Sequence, residues 1–460
     1  METATQELKA SAAAANRSAW RRLSAVFGAH AFGNLVTIAD RILLVPLMLV
    51  LWGPDLFGVW VIIRSVPAWL SISEMGFASA AGNLMTTAVA SQQPEHAGSI
   101  YRTAGWMIGV ISIVGMLIAV LICTLVPLSE LLNCELVSRR DFAVAILLAC
   151  IYTVSIFQTQ LLYAVARSEQ LHAEVTLQIH ITRVAELALS LMLMWIGGGV
   201  VAASTGYIAA RWCGIVFIRH YLRQRISWDR LGAVDYSLAR RMVKPALGYA
   251  VLPVVQALQL QGMTMVLAMF SAPPVVLAYN SMRTLARMPQ MLGMSIGRTA
   301  WPEMTNAIAH GDQKRLVRLY RHTQFVAFAF GVVSLVALAL CGETVFRIWT
   351  VGKVQFNWTT FVLLSASAAV TSYATTQMSI LNAAGHHQSS AFVWTAVSGV
   401  SVLVCYFIGP QLTGRNASAI LLVAEVLVCV FVAFVSAACL RGLLQKSRSS
   451  RSDLIPEVKS

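Results

Sequence analysis

Apolar stretches of about 20 residues recur along this chain from near residue 26 to near residue 440. A helix rises ~1.5 Å per residue, so each stretch reaches across the ~30 Å hydrocarbon core of a bilayer. A chain inside lipid must satisfy its backbone polar groups internally, which leaves helices or closed barrels. The short alternating segments of barrel strands do not occur here, so the expected fold class is an all-α polytopic membrane protein. Composition agrees, at 57% hydrophobic and 12% charged with a mean hydropathy of +0.69, against ~45–50% apolar and ~25% charged for soluble domains.

Twelve spans are predicted, at 26–51, 57–82, 102–126, 142–165, 175–196, 199–219, 247–270, 276–297, 322–341, 359–382, 391–409 and 418–440. An even number places both termini on one side. Loops on that side carry 23 Lys or Arg, and the opposite loops carry five: Arg139, Arg140, Arg347, Lys353 and Arg415. The basic side is expected to be cytoplasmic, and the net charge of +14 then reflects topology, not a nucleic-acid partner. The first twenty residues lack the apolar core of a secretory signal and read as a retained cytoplasmic tail. The eight cysteines are scattered without a C-x-x-C pair, so neither a disulfide framework nor a metal site is expected, and no cofactor is implied. His386-His387 is a poor metal signal by itself.

The chain repeats. At an offset of 219 residues, Arg21-Arg22 falls on Arg240-Arg241, Pro54 on Pro273, Arg64-Ser65 on Arg283-Thr284, MTTAVA on MTNAIA, Tyr101-Arg102 on Tyr320-Arg321, and Gln158 and Leu162 on Gln377 and Leu381. Two homologous six-span halves follow, entering the membrane in the same sense, and transporters built this way place the substrate path between the halves. The predicted organisation is an N-terminal lobe with its tail (1–222), a basic cytoplasmic linker (223–244), a C-terminal lobe (245–440) and a cytoplasmic tail (441–460), with the two pseudo-symmetric lobes around a central cavity.

Six basic residues fall within predicted spans: Arg41, Arg64, Arg183, Arg211, Arg283 and Arg287. The acids there are Asp40, Glu74, Glu186 and Glu425. A mid-membrane charge costs roughly 2.5–3.5 kcal/mol on insertion scales, so each needs a partner or a wet cavity. Arg183 and Glu186, spaced i, i+3, are expected to form a structural ion pair. Arg211 either pairs with Glu186 or Glu74 or lines the cavity. Asp40 and Arg41 diverge by ~100° around a helix and cannot neutralise each other well.

Arg283 and Arg287, spaced i, i+4, would stack on one face of a single helix and repel unless an anion relieves them. Guanidinium forks match phosphate oxygens, so the pair reads as a phosphate clamp, with snorkelling to an interface as the alternative. Arg64, the repeat mate of Arg283, and Arg41 would complete a cationic cavity that concentrates anions. Pro46, Pro67, Pro253 and Pro289 lie inside spans as hinges or plain kinks. Trp52, Trp60, Trp301, Trp349 and Trp358 sit near span ends as interfacial anchors.

The first-hairpin pattern LWGPDLFGVWVIIRSV (51–66), the following SISEMGFASAAGN (71–83) and the turn LNAAGHHQ (381–388) resemble the polysaccharide transporter branch, Wzx-like O-antigen and oligosaccharide flippases, of the multidrug/oligosaccharidyl-lipid/polysaccharide exporter superfamily. The resemblance spans nearly the whole chain. It implies two six-helix lobes that move a polyprenyl-pyrophosphate-linked oligosaccharide across the cell inner membrane by alternating access. Surface polysaccharide synthesis would follow, with glycosyltransferases and a polysaccharide polymerase as candidate partners. The related lipid II flippase uses cavity arginines on its first, second and eighth helices, and Arg41, Arg64 and Arg283 fall on those helices here.

Without a G-x-x-x-x-G-K-[ST] segment, P-loop ATP use is not expected. An ion gradient or the membrane potential would act through Asp40, Glu74 or Glu425, at ~2.3 kcal/mol per charge per 100 mV. One alternative is an ion-coupled multidrug exporter of the same superfamily, although six bases against four acids disfavour cationic cargo. Another is a membrane enzyme, a polysaccharide polymerase or ligase, which would need a large outer loop that is not predicted.

Overall fold

In the computed structural model, the described residues are 32–452 apart from 34, 38, 41, 68, 69, 71–75, 244–253, 256 and 387. Arg41 and Glu74 therefore lie outside the described residues. Helices dominate, and among the described residues eight are long and apolar enough to cross a membrane. Two compact units form. One comprises Met1–Trp52, Val66–Glu130 and Glu135–Ala250; the other comprises Gly53–Ser65, Leu131–Cys134 and Val251–Ser460.

α1 (Leu35–Ser65) contributes residues up to Trp52 to the first unit and Gly53–Ser65 to the second; Gly53 has a φ of +71°. A side chain would strain that backbone. A helix, α2 (Phe77–Ala90), starts behind Gly76, which is also at positive φ. Next come α3 (Pro94–Leu125), α4 (Arg139–Ser168), α5 (His172–Trp195) and α6 (Val200–Arg223). Pro94 supplies an N-terminal residue with no amide to leave unpaired, and the Ser138 hydroxyl accepts from the Asp141 amide at 3.1 Å to start α4. A face of α3 bearing Ile113, Leu117, Leu121 and Leu125 is exposed, which suits contact with lipid tails.

α5 and α6 approach almost backbone to backbone. A Cβ on Gly206 would lie 2.9 Å from Ser190 Cα, and one on Gly214 would lie 2.3 Å from Thr182 Oγ1. Small residues at such spacing are how membrane helices gain close packing where apolar burial gives no preference over lipid. The segment after α6 is docked on the unit. Trp228 is buried and its indole donates to Glu169, while Arg102 donates to the Arg230 carbonyl at 2.6 Å. Asp235 caps a helix over 236–243 by accepting from the Ser237 and Leu238 amides at 2.8 and 3.2 Å. The Ser237 hydroxyl, then the Leu238 and Ser237 amides, with Arg241 nearby, hold its carboxyl below the usual carboxylate range.

The second unit contains a π-helical turn, Ala257–Gly262, leading into α7 (Met263–Phe270). α8 (Pro273–Ala286), α9 (Met288–Ala309), α10 (Gln313–Trp349), α11 (Trp358–Ala383), α12 (Gln388–Ile408) and α13 (Gly414–Ser452) complete it. Two pieces of the chain's first half are built into it. Gly58 packs on Pro273, whose carbonyl oxygen would meet a Cβ at 2.4 Å. Asn133, at φ +51°, donates to the Ala268 and Met269 carbonyls, both at 3.0 Å, and closes the open end of α7.

The span expected over 276–297 is two helices. α8 ends at Ala286, Arg287 stands at the junction, and α9 begins with Pro289 near its start. Proline at that place lacks the amide that would have continued the hydrogen-bond ladder. α9 then rests on α11 through Gly293 and Gly297, where Cβ atoms would meet Ser372 Oγ at 2.1 Å and Thr376 Cα at 3.0 Å.

α11 packs against most of the other helices of this unit and is rich in serine and threonine. Ser365, Thr371 and Thr376 are buried and bond the carbonyls four residues back, at 2.8, 2.8 and 2.9 Å. Such back-bonding satisfies hydroxyls without leaving the helix. Enclosed by protein, α11 does not need the lipid-facing apolar surface that α10 carries on Phe325, Phe328, Val333 and Leu340.

Candidate functional site

Two groups of buried charge stand out, one in each unit. In the first, α4 contributes Tyr152, α5 contributes Arg183 and Glu186, α6 contributes Arg211, and α1 contributes Asp40. Arg183 Nη2 meets Asp40 Oδ2 at 2.7 Å and its Nη1 meets Glu186 Oε2 at 3.6 Å. Arg211 Nε lies 2.6 Å from Glu186 Oε1. The Tyr152 hydroxyl sits between them: it accepts from Arg183 Nη1 and Arg211 Nη2, each at 2.8 Å, and donates to Glu186 Oε2 at 2.8 Å. The Arg211 guanidinium also lies 5.0 Å from the Tyr152 ring centroid.

The i, i+3 pair is thus the longer contact of a four-charge network, and Asp40 is the nearer partner of Arg183. Arg211 takes Glu186, one of its two expected partners. The close α5–α6 packing at Gly206 and Gly214 is what brings Arg211 to Glu186. Among the described residues, the two carboxylates balance the two guanidiniums. Sequence reading missed Tyr152, an aromatic inside an apolar run with no charge to mark it.

In the second unit, Arg283 on α8 is buried and points at the π turn. Its Nη1 donates to the Leu260 carbonyl at 2.8 Å and faces the Gln259 carbonyl at 3.5 Å. Nη2 donates to Thr264 Oγ1 at 3.0 Å and to Asn280 Oδ1, and the guanidinium lies 5.3 Å from the Tyr279 ring centroid. Every one of these partners is neutral, and among the described residues no carboxylate lies within ion-pair distance of Arg283.

Arg287 takes a different direction. At the α8–α9 junction its Nε donates to Gln290 Oε1 at 2.8 Å, and Glu425 is the acid in its neighbourhood. The two guanidiniums are therefore held by separate partners on separate elements, and not as one fork on a continuous helix. The helix break at Arg287 is the reason. Arg64 is half-buried, with its guanidinium 5.8 Å from the Trp60 ring centroid.

Glu425 on α13 is buried. Its Oε1 accepts from Gln259 Nε2, which also donates to Ser398 Oγ at 3.2 Å. Thr371 and the Trp394 indole lie beside the same carboxylate. Gln259 was not singled out from sequence, although a glutamine in an apolar span is a visible signal. The π turn that aims it leaves no sequence mark.

The solved structures that this chain resembles carry the same arrangement of helices. An inward-facing multidrug resistance MATE family transporter of the MOP superfamily matches with a TM-score of 0.68 over 88% of this chain and 99% of its own, at 14% identity. This chain shares its fold. An outward-facing multidrug resistance MATE family transporter matches with a TM-score of 0.60 over 92% and 96%, at 12% identity. A MOP superfamily transporter from Pyrococcus furiosus, described by the reverse polarity of its binding pocket, matches with a TM-score of 0.56 over 92% and 95%, also at 12% identity. No protein-family model and no curated protein matches the sequence. With this fold the twelve-helix, two-lobe layout expected from sequence stands, as does membership of the multi-pass membrane proteins.

Proposed function

We propose that this protein is an alternating-access transporter whose passenger bears an anionic group, and that the passenger is a lipid-linked oligosaccharide with a phosphate or pyrophosphate bridge. The observation that carries the reading is Arg283, a buried guanidinium in a membrane helix whose partners are all neutral. Its charge is hydrogen-bonded but not cancelled, so the surrounding field favours an anion. Arg287 adds a second positive charge at the neighbouring helix break, and Arg64 and Arg41 are assigned to the same role. Ion coupling is assigned to Glu425, with Asp40 and Glu74 as further candidates; Asp40 is the weaker because Arg183 already neutralises it.

In this reading the protein works in the inner membrane with both termini cytoplasmic, beside glycosyltransferases and a polymerase. Multidrug export is a second reading, and the fold favours it, since the MATE neighbours are multidrug transporters and Glu425 is an acid suited to cationic cargo.

One experiment separates the two. Deleting the gene and labelling lipid-linked oligosaccharide is expected to show accumulation on the cytoplasmic leaflet and loss of surface glycan. Normal glycan together with lost drug resistance would select the multidrug reading. Arg283→Ala is expected to abolish surface glycan while the protein still inserts, and full complementation by the Arg283→Ala/Arg287→Ala double variant would refute the anionic passenger.

A further inference from the structure

Gln259 touches both functional elements of the second unit. Its side-chain amide reaches the Glu425 carboxylate and Ser398, while its backbone carbonyl faces Arg283 at 3.5 Å. The adjoining Leu260 carbonyl accepts from Arg283 at 2.8 Å and from Thr264 Oγ1 at 2.7 Å. The π turn over Ala257–Gly262 makes this geometry. Widening a helix by one residue per turn realigns its carbonyls, so a neighbouring donor is able to enter the ladder. Arg283 is that donor.

We propose that Gln259 is a positioning residue that ties the charge state of Glu425 to the hold on Arg283. With Glu425 ionised, the amide of Gln259 makes a charge-assisted hydrogen bond, which is roughly twice as strong as a neutral one. That bond fixes the π turn and keeps the Gln259 and Leu260 carbonyls aimed at the Arg283 guanidinium. When a proton or a cation neutralises Glu425, the amide loses the charged acceptor, the turn relaxes toward α-helical register, and Arg283 loses carbonyl partners. The guanidinium then has donors to offer an anion. Other groups facing Glu425 are Thr371 and Trp394 from α11 and α12, Arg287 from the α8–α9 junction, and Cys429 on its own helix; none of these is seen to hold Arg283. The functional meaning of the relay rests on Arg283 as an anion contact, whereas its physical content does not.

The test measures the reactivity of Arg283 toward p-hydroxyphenylglyoxal, by mass spectrometry on the full chain in lipid nanodiscs. Glu425→Gln and Gln259→Leu are each expected to speed modification about fivefold, the effect of losing about one hydrogen bond. The double variant is expected to react no faster than either single, because both act through one contact. Multiplicative effects in the double variant, or an unchanged rate in Glu425→Gln, would overturn the relay. Arg211 in the first unit serves as the internal control for global loosening, and Gln259→Met replaces Gln259→Leu if Arg211 also becomes reactive. An intact non-additive pattern in a protein that moves no lipid-linked oligosaccharide would discard the passenger and keep the relay.

Discussion

In the first unit two guanidiniums meet two carboxylates around the Tyr152 hydroxyl, whereas in the second Arg283 is surrounded by carbonyls, a hydroxyl and an amide. Both solutions give the buried guanidiniums hydrogen-bond partners. Among the described residues, only the first balances its charges. A cancelled cluster behaves as a fixed cross-brace among α1, α4, α5 and α6, because separating any pair leaves a bare charge at bilayer depth. An uncancelled guanidinium held by neutral dipoles keeps its attraction for an anion. The difference teaches that counting intramembrane charges, six bases against four acids, does not locate function; their pairing does.

The comparison breaks most readily at Glu186. Glu186→Ala leaves Arg211 and Arg183 short of an acid, and the expected loss is about 3–5 kcal/mol of stability, read by thermal unfolding in detergent. Replacing the pair together, Glu186→Leu with Arg211→Met, is expected to cost much less. Equal losses would show that the cluster is not a charge brace. Next in size is Gly206→Leu: a side chain there drives into the Ser190 backbone, and overpacking of this kind costs about 1–3 kcal/mol. Lowered unfolding temperature together with intact Gly109→Leu, at a glycine with open space around it, would confirm that α5–α6 contact sets the cluster.

Tyr152→Phe removes one hydroxyl shared by three charged groups and is expected to cost about 1.5–3 kcal/mol, the range for hydrogen bonds to charges. The corresponding change in the second unit, Thr264→Val, removes one neutral partner of Arg283 and is expected to cost about 1 kcal/mol. If the two losses were equal, the contrast between charged and neutral solutions would fail.

The smallest effect concerns Asp235. Its carboxyl titrates lower in the folded state than in the unfolded one, so the cap is fully present above the ordinary carboxylate pKa. Capping is lost as pH falls through the lowered folded value. Amide exchange over 236–243 is expected to rise on acidification in the wild type, and to be raised already at neutral pH in Asp235→Ala.

Much of this was legible in the chain. Apolar runs located helices because crossing lipid imposes both length and internal hydrogen bonding. Even α11, rich in serine and threonine, was marked as a span at 359–382. Less was legible at the candidate sites. Arg283 and Arg287 read as one fork because i, i+4 spacing on an unbroken helix stacks side chains. Pro289, visible as a kink or a hinge, ends the helix just before it and sends the two guanidiniums to different partners.

Sequence by itself determined that this chain lives in a bilayer as helices and which ionisable groups must find partners. Those conclusions follow from free energies set by local composition and by the thickness of hydrocarbon. Only the tertiary structure decided the partners: Asp40 for Arg183, Glu186 for Arg211, the π turn for Arg283, and Gln259 for Glu425. These pairings join residues from 23 to 166 positions apart, and they depend on helix contacts through glycines and on a turn with one residue too many. Neither leaves a periodic trace along the chain, because close approach is a property of two surfaces and not of one segment.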